Sequence, residues 1–413
     1  MCNGGTILES IVYVKDFSKG CSADEALRQA LAECSRRGAS VLQLEAGEYH
    51  LAETVTHKTR SIAHDEGCGD LTEKSCHLVL QGLRNFTIRG KTAEDGSPAT
   101  LISGVNSCEI QALQPSILWV ERCTGLTLEN LEFTRRPESV CAGTVVSTEG
   151  GVLRVSVADG LNAYDGMAAY CMNHFNEDGT LAGPSLTYGH GFDARWKYAG
   201  GKEYMLDAPE IAAKVRPGQV LSWHQAGKTD FLLYFGNCTD LTLKNLRILN
   251  TNGFAMITER CSGIKGDGVK ISPRPGRYFT GPRDGWMVYR CTGEVLLDGC
   301  HFEGLRMDAQ NVHGNFLVVS ERLDKRTLMC KCRYAPMDLE TFTGLKVYEG
   351  KGEKYFSTTI LDWSVSETEL VNSSQDADPT ATPAFGGVAP YTYYRITLAE
   401  EPPFLVTEGT LCV

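Results

Sequence analysis

The sequence predicts an all-β chain: a right-handed parallel β-helix with two small β-barrel modules. Three observations point there: two short strands that recur around a fixed cysteine, one amphipathic helix near the start, and two stretches where the recurrence stops. The recurrence is the strongest of these. Ile117–Leu131 returns as Leu232–Leu246, with Cys123 matched by Cys238, Asn130 by Asn245 and Leu131 by Leu246. It returns more loosely at Ala255–Val269 around Cys261, and at Trp286–Leu297 around Cys291. Leu78–Arg89 has the same strand-turn-strand outline. Cys238 and Cys261 are 23 residues apart, whereas Cys261 and Cys291 are 30 apart, so the second interval holds an added loop. A unit of two short strands cannot bury an apolar face alone, and it becomes stable only by stacking on its copies at about 4.8 Å per turn. Stacking would pile the cysteines into an internal ladder and set Asn130 and Asn245 together at a corner.

The helix fits the same picture. Ile7–Phe17 reads as a strand, and Ser22-Ala23-Asp24-Glu25 has the S-x-x-E form of a capping box. Leu27, Ala30, Leu31 and Cys34 then mark one face of a short helix that Gly38 stops, and Ser40–Leu44 resumes as strand. A single helix ahead of short strands suits the cap of a β-helix, whose first turn would otherwise leave an open edge. It does not suit an α/β fold, which alternates strands with helices.

The interruptions run from Cys141 to Asp230 and from Arg322 onward. The first contains the alternating stretches Val152–Val157 and Val215–His224. The second contains strand candidates Thr341–Tyr348, Thr358–Val365 and Tyr391–Leu398, with a Ser/Asp/Thr/Pro/Gly-rich loop at Asn372–Gly387. Four parts follow: residues 1–140 as the first β-helix section with its capping helix, 141–230 as an inserted barrel, 231–320 as the β-helix continuation, and 321–413 as a second barrel.

Composition limits what such a chain can do. The formal net charge of -11 disfavours nucleic acid as a partner, and a neutral glycan or small molecule fits better. The sequence contains no run of 18 or more apolar residues, the length that would mark a membrane-spanning helix. The sixteen cysteines are spread through a large chain without a CxxC pair, and several fall at one position of the repeat. Buried thiols explain them better than a disulfide framework. Cys330 and Cys332 are poorly spaced for a shared metal. No metal or cofactor is expected, and a homo-oligomer is compatible with everything above. Met1-Cys2-Asn3-Gly4-Gly5 reads equally as an ordinary start or as the mature cysteine start of a bacterial lipoprotein behind an added Met. The latter would put the protein outside the cytoplasm.

A stacked coil displays matching positions of successive turns on one outer face. Hydrolysis of a glycosidic bond needs two carboxyl groups flanking that bond. Asp284 and Asp308 are separated by one residue more than the 23-residue period, which places them on neighbouring turns with Cα atoms roughly 5–8 Å apart. That range spans both retaining and inverting geometries. The added loop, Ser272–Arg283, carries Arg274, Arg277, Arg283 and two aromatics between Pro and Gly residues, immediately before Asp284. It reads as a substrate wall or, in the plainer alternative, as a solvated loop. Asn311 and His313 are candidates for sugar hydroxyls, as are Glu259 and His224 from preceding turns. Trp286 reads as packing.

Four runs make the pattern specific: Arg283-Asp284-Gly285-Trp286, Cys291-Thr292-Gly293, Phe302-Glu303-Gly304 and Asp308-Ala309-Gln310-Asn311-Val312-His313-Gly314. Together they resemble glycoside hydrolase family 110, exo-acting α-1,3-galactosidases that remove terminal galactose, including that of the blood-group B determinant. The resemblance spans essentially the whole chain and implies a pectin-lyase-like β-helix, an oligosaccharide or glycoconjugate substrate and an inverting acid/base displacement. It implies that Asp284 is the general acid. It also implies that Asp308 is the second of two consecutive aspartates on the water-activating side. The first of that pair is here Met307, whose thioether accepts no proton from water. Relative to that family, Glu408–Val413 ends near the point where further turns of the coil would follow. Two readings stand beside the galactosidase: a non-catalytic glycan-binding β-helix, and a carbohydrate-active β-helix of different linkage specificity.

Overall fold

The computed structural model describes residues 10–59, 72–104, 114–161, 163–187, 194–224, 230–314, 316–332, 343–350, 354–372 and 388–413. The lipoprotein-type start and most of the 372–387 loop lie outside these residues. Two compact units form, one from Met1–His57 with Glu73–Val312, the other from Lys58–Thr72 with His313–Val413.

The first unit is a parallel β-helix. Its chain passes through three sheets in a fixed cycle: Phe231–Gly236, Thr239–Lys244 and Arg247–Ile248 make one turn, and Phe254–Glu259, Ser262–Asp267 and Lys270–Ile271 make the next. Successive turns pair in parallel with like residues in register, Leu233 on Met256 and Met256 on Trp286, Leu241 on Ile264, Ile248 on Ile271 and then Phe302. Both Leu232 and Leu233 face the common core, as do Ala255 and Met256. The strict alternation of a strand therefore breaks at this corner, and the residue just before it turns outward.

Corners carry the chemistry expected of them. Arg122, Asn237, Arg260 and Arg290 all take positive φ, from 50° to 53°, at one corner. At the next corner Asn130 and Asn245 do the same, and the Asn245 amide donates to Asn130 Oδ1 at 3.1 Å, as the repeat predicted. Gly268 continues that column. A Cβ there would stand 2.8 Å from Asn245 Oδ1. The cysteine ladder is present as well: the Cys238 N–H donates to Cys261 Sγ and the Cys261 N–H to Cys291 Sγ, both at 3.4 Å.

The helix runs Ala23–Arg37, with Ser22 Oγ accepting from the Glu25 N–H at 3.2 Å and Gly38 in the left-handed conformation. Leu27, Ala30 and Cys34 pack into the core, as their spacing required. Of the strand expected over Ile7–Phe17, residues 7–9 lie outside the described residues; Ile11–Tyr13 pairs, and Val14–Phe17 winds into a 3-10 turn closed by the Ser18 N–H on Lys15 O.

A polar thread lies under the helix. Asp24 accepts the Ala52 N–H at 2.8 Å, while His77 Nδ1 meets Glu53 O at 2.7 Å and Nε2 meets Ser103 Oγ at 2.9 Å. Arg135, fully buried, donates to Ser103 Oγ at 3.2 Å and to Asp230 at 3.4 Å. Burial holds His77 below the usual histidine range, so it stays neutral.

The first interruption forms a six-stranded antiparallel sheet from Val140–Ser147, Val152–Val157, Tyr170–Phe175, Lys197–Gly200, Glu203–Asp207 and Val220–His224. Its edges are Tyr170–Phe175 and Lys197–Gly200. They approach through the Ala168–Arg195 bridge and the Trp196 N–H on Met167 O, a partial closure around the stacked Trp196 and Trp223. The full barrel expected from the sequence is thus an incompletely closed one among the described residues. The strand expected over Val215–His224 begins only at Val220, because a short helix, Pro209–Ala212, and the turn at Gly218 occupy the chain before it.

The second unit contains a closed antiparallel barrel of Leu317–Arg322, Thr327–Cys332, Gly344–Glu349, Lys354–Asn372, Val388–Leu398 and Leu411–Cys412. Leu317, Val319, Val347, Tyr394 and Ile396 fill it. Two strands outrun their predicted spans, because bulges near Ile360 and Val365 let Lys354–Asn372 stay paired along its length.

Candidate active site

Asp284 and Asp308 come together. The Gly285 N–H donates to Asp308 O at 2.9 Å and the Trp286 N–H to Ala309 O at 3.1 Å, which sets the two aspartates at one position of successive turns. Asp284 aligns in turn with Phe254 and Phe231 below it, since the Ala255 N–H donates to Asp284 O and Phe231 pairs with Phe254. This column precedes the corner, on the outward side of the coil, whereas Trp286 points inward and bonds Thr258 Oγ1 at 3.2 Å.

The two carboxyl groups have opposite surroundings. Asp284 is only 4% exposed, whereas Asp308 is exposed. Burial raises the Asp284 pKa. The Asn311 amide, donating to Oδ2 at 3.0 Å, opposes that shift; the Asp308 charge adds to it, and the Arg283 charge and the Asp308 N–H oppose it. The net direction is upward, favouring the protonated form.

Gly285 makes this juxtaposition geometrically possible. A Cβ on it would lie 2.6 Å from Leu305 Cδ1 and 2.7 Å from Ala309 O, the residue next to Asp308. Gly285→Ala is therefore expected to lower stability by about 1–3 kcal/mol and to push the two aspartates out of register. Chemical denaturation of the purified variant checks this, and wild-type stability would refute it.

Other predicted site residues divide between the column and its surroundings. Asn311 is present, bonded to Asp284 rather than reaching outward. Arg283 is buried, with its guanidinium carbon 4.8 Å from the centre of the Phe254 ring, beside the same column. The arginine loop is not a free wall but is fastened to the inserted sheet. Arg277 donates to Asp159 O at 3.1 Å and pairs with Glu138 at 3.4 Å, and Tyr278 packs on Phe175 with ring centres 4.2 Å apart. Arg274 lies half-buried in that loop. His224, expected to reach out from an earlier turn, is wholly buried at the end of a strand of the inserted sheet, 6.3 Å from the Phe279 ring.

Glu259 does not join the group. It ends the strand that Phe254 begins, about 17 Å along at strand rise, and accepts the Tyr234 hydroxyl at 2.8 Å in a fully enclosed position. Its predicted contact with the groove is corrected accordingly: the spacing of the repeat gave its turn but not its place along the strand. His313 is half-buried and begins the second unit.

The sequence reading missed Arg306. Its guanidinium lies 3.3 Å over the Phe279 ring, and it donates to Asn173 Oδ1 and, at 3.0 Å, to Ser222 O. Its position two residues before Asp308 was the available signal.

A parallel β-helix with paired carboxyl groups on adjacent turns defines a scaffold suited to acid/base chemistry on an extended ligand. No protein-family model matches the chain. It is similar to α-1,3-galactosidase A of Bacteroides fragilis, 28% identical over 77% of this chain and 53% of that protein. It is also similar to α-1,3-galactosidase A of Shewanella woodyi, 23% identical over 90% of this chain and 64% of that protein. The chain spans about half the length of the first of these curated relatives. Among solved structures, the A-module of an Azotobacter vinelandii mannuronan C-5 epimerase aligns at a TM-score of 0.25 and 12% identity, covering 72% of this chain and 59% of that one.

Proposed function

We propose that the protein is a glycoside hydrolase that removes terminal α-linked galactose from glycans, an α-1,3-galactosidase of the family 110 type. Its coil in this reading is the right-handed, pectin-lyase-like kind. One observation carries the proposal: Asp284 and Asp308 occupy one outward position of neighbouring turns, the first buried and biased toward its proton, the second exposed. The names of the relatives support the substrate class.

Asp284 would give its proton to the glycosidic oxygen as that bond breaks. Asp308 would take a proton from the water whose oxygen adds to the anomeric carbon, leaving Asp284 ionised and Asp308 protonated until solvent exchange restores both. An inverting course belongs to this reading, and NMR of the anomer first released tests it. Arg283 stands beside Asp284 and would favour the ionised form left after proton transfer. Arg274 and Arg277 would shape the groove through the loop.

Met307 favours a second reading, a glycan binder without turnover, because an acidic residue is absent from the water side. Met307→Asp is expected to raise turnover of an α-1,3-galactosyl oligosaccharide at least tenfold, about 1.4 kcal/mol in the barrier. Unchanged turnover in that variant would remove Met307 as the limiting feature. Sugar binding with no hydrolysis in either protein would establish the second reading.

A further inference from the structure

We propose that His224 and Arg306, with Asn173 and the Phe279 ring, form a subsite for an acidic group, a carboxylate or sulfate, carried by the glycan. This deepens the galactosidase reading and rests on its assumption that a glycan lies along the aspartate column.

Two groups, one buried and one half-buried, are missing the partners their chemistry requires. His224 is 0% exposed, and neither ring nitrogen has a hydrogen-bond partner among the described residues. A buried imidazole normally satisfies both nitrogens, because each unmade bond costs about 1–3 kcal/mol. Arg306 is largely enclosed and has no carboxylate partner among the described residues. Its contacts are the neutral Asn173 Oδ1, the Ser222 carbonyl and the face of Phe279, and its Nε–H is unbonded. Burial pushes its pKa down to about 9, which leaves the guanidinium charged at neutral pH. A buried cation without a counter-charge is costly unless an anion completes it.

The groups share one place. Arg306 bonds the Ser222 carbonyl, two residues before His224 on one strand. Phe279 has Arg306 on its face and His224 near its edge. Burial, with the Arg306 charge adding to it, holds His224 neutral, which leaves one ring N–H to donate. A planar guanidinium, held by the Asn173 oxygen, beside a neutral imidazole N–H is a donor set for a two-oxygen anion. Arg306 precedes Asp308 by two residues, so such an anion would sit beside the proposed reaction centre.

Calorimetry with galactose, galacturonate and galactose 6-sulfate tests this on the full chain. Free sugars have no bond to cleave, so binding is read apart from turnover. At least one acidic sugar is expected to bind about tenfold more tightly than galactose, with the preference weakening as salt rises. The sugar that shows it identifies carboxylate or sulfate. Arg306→Gln and His224→Gln should each abolish the preference while thermal melts confirm that they fold. Should Arg306→Gln not fold, His224→Gln and the salt series still decide the matter. Equal binding of all three sugars by the wild type, or an acid preference surviving in the folded variants, would overturn the subsite. A chain that prefers acidic sugars but hydrolyses nothing would keep the subsite and lose the catalytic reading. Hydrolysis without the preference would do the opposite.

Discussion

Asp284→Asn and Asp308→Asn are each expected to lower kcat/KM on an α-1,3-galactosyl oligosaccharide by roughly 10²–10⁴-fold, the usual range for losing a positioned acid or base. Neither substitution changes side-chain volume much, so the coil should remain folded. The pH dependence separates the two roles. Asp284 has a folded-state pKa raised by burial, so between its unfolded and folded values the native state holds a proton that the unfolded chain releases. The associated stability is present below that window and lost as pH rises through it. Asp284→Asn should therefore make the protein less sensitive to rising pH and more stable at neutrality. In the wild type, the alkaline limb of kcat should follow the loss of the Asp284 proton. Rates equal to wild type in both Asn variants would end the assignment.

Asp230→Ala should be among the most damaging single changes to stability, at about 3–5 kcal/mol. Arg135 is wholly buried, and Asp230 at 3.4 Å is the carboxylate that balances it. Removing that carboxylate leaves a guanidinium in the interior with Ser103 as a neutral contact. The double variant Arg135→Met with Asp230→Leu should recover most of the loss, because apolar residues of similar size carry no desolvation penalty. Urea unfolding measures both. A loss below about 1 kcal/mol in Asp230→Ala would show that solvent reaches the pair after all.

The coil was readable because stacking puts like on like: Cys238, Cys261 and Cys291 repeat in sequence for the same reason they touch in space. The corners were readable through Asn130 and Asn245, side chains that tolerate positive φ. The closure of the inserted module was not, because strand alternation in Val152–Val157 records which face is buried and says nothing about whether the sheet's edges meet. At the site, Asp284 and Asp308 could be found from a spacing near the period. Asn311, expected to face a sugar, instead bonds Asp284, since a residue's turn does not determine which neighbour its side chain reaches. Glu259 was misplaced on the same ground. Arg306 belongs to no repeat and no motif, and only the packing of loop 272–283 against the inserted sheet reveals what surrounds it.

The sulfur column inside the coil has a practical meaning. Cys123, Cys238 and Cys261 are reduced and shielded from solvent at successive levels of one unit. An alkylating reagent can reach each of them only after its own level has opened. Mass spectrometry of the tagged peptides would therefore read, position by position, whether the coil frays from one end or comes apart all at once.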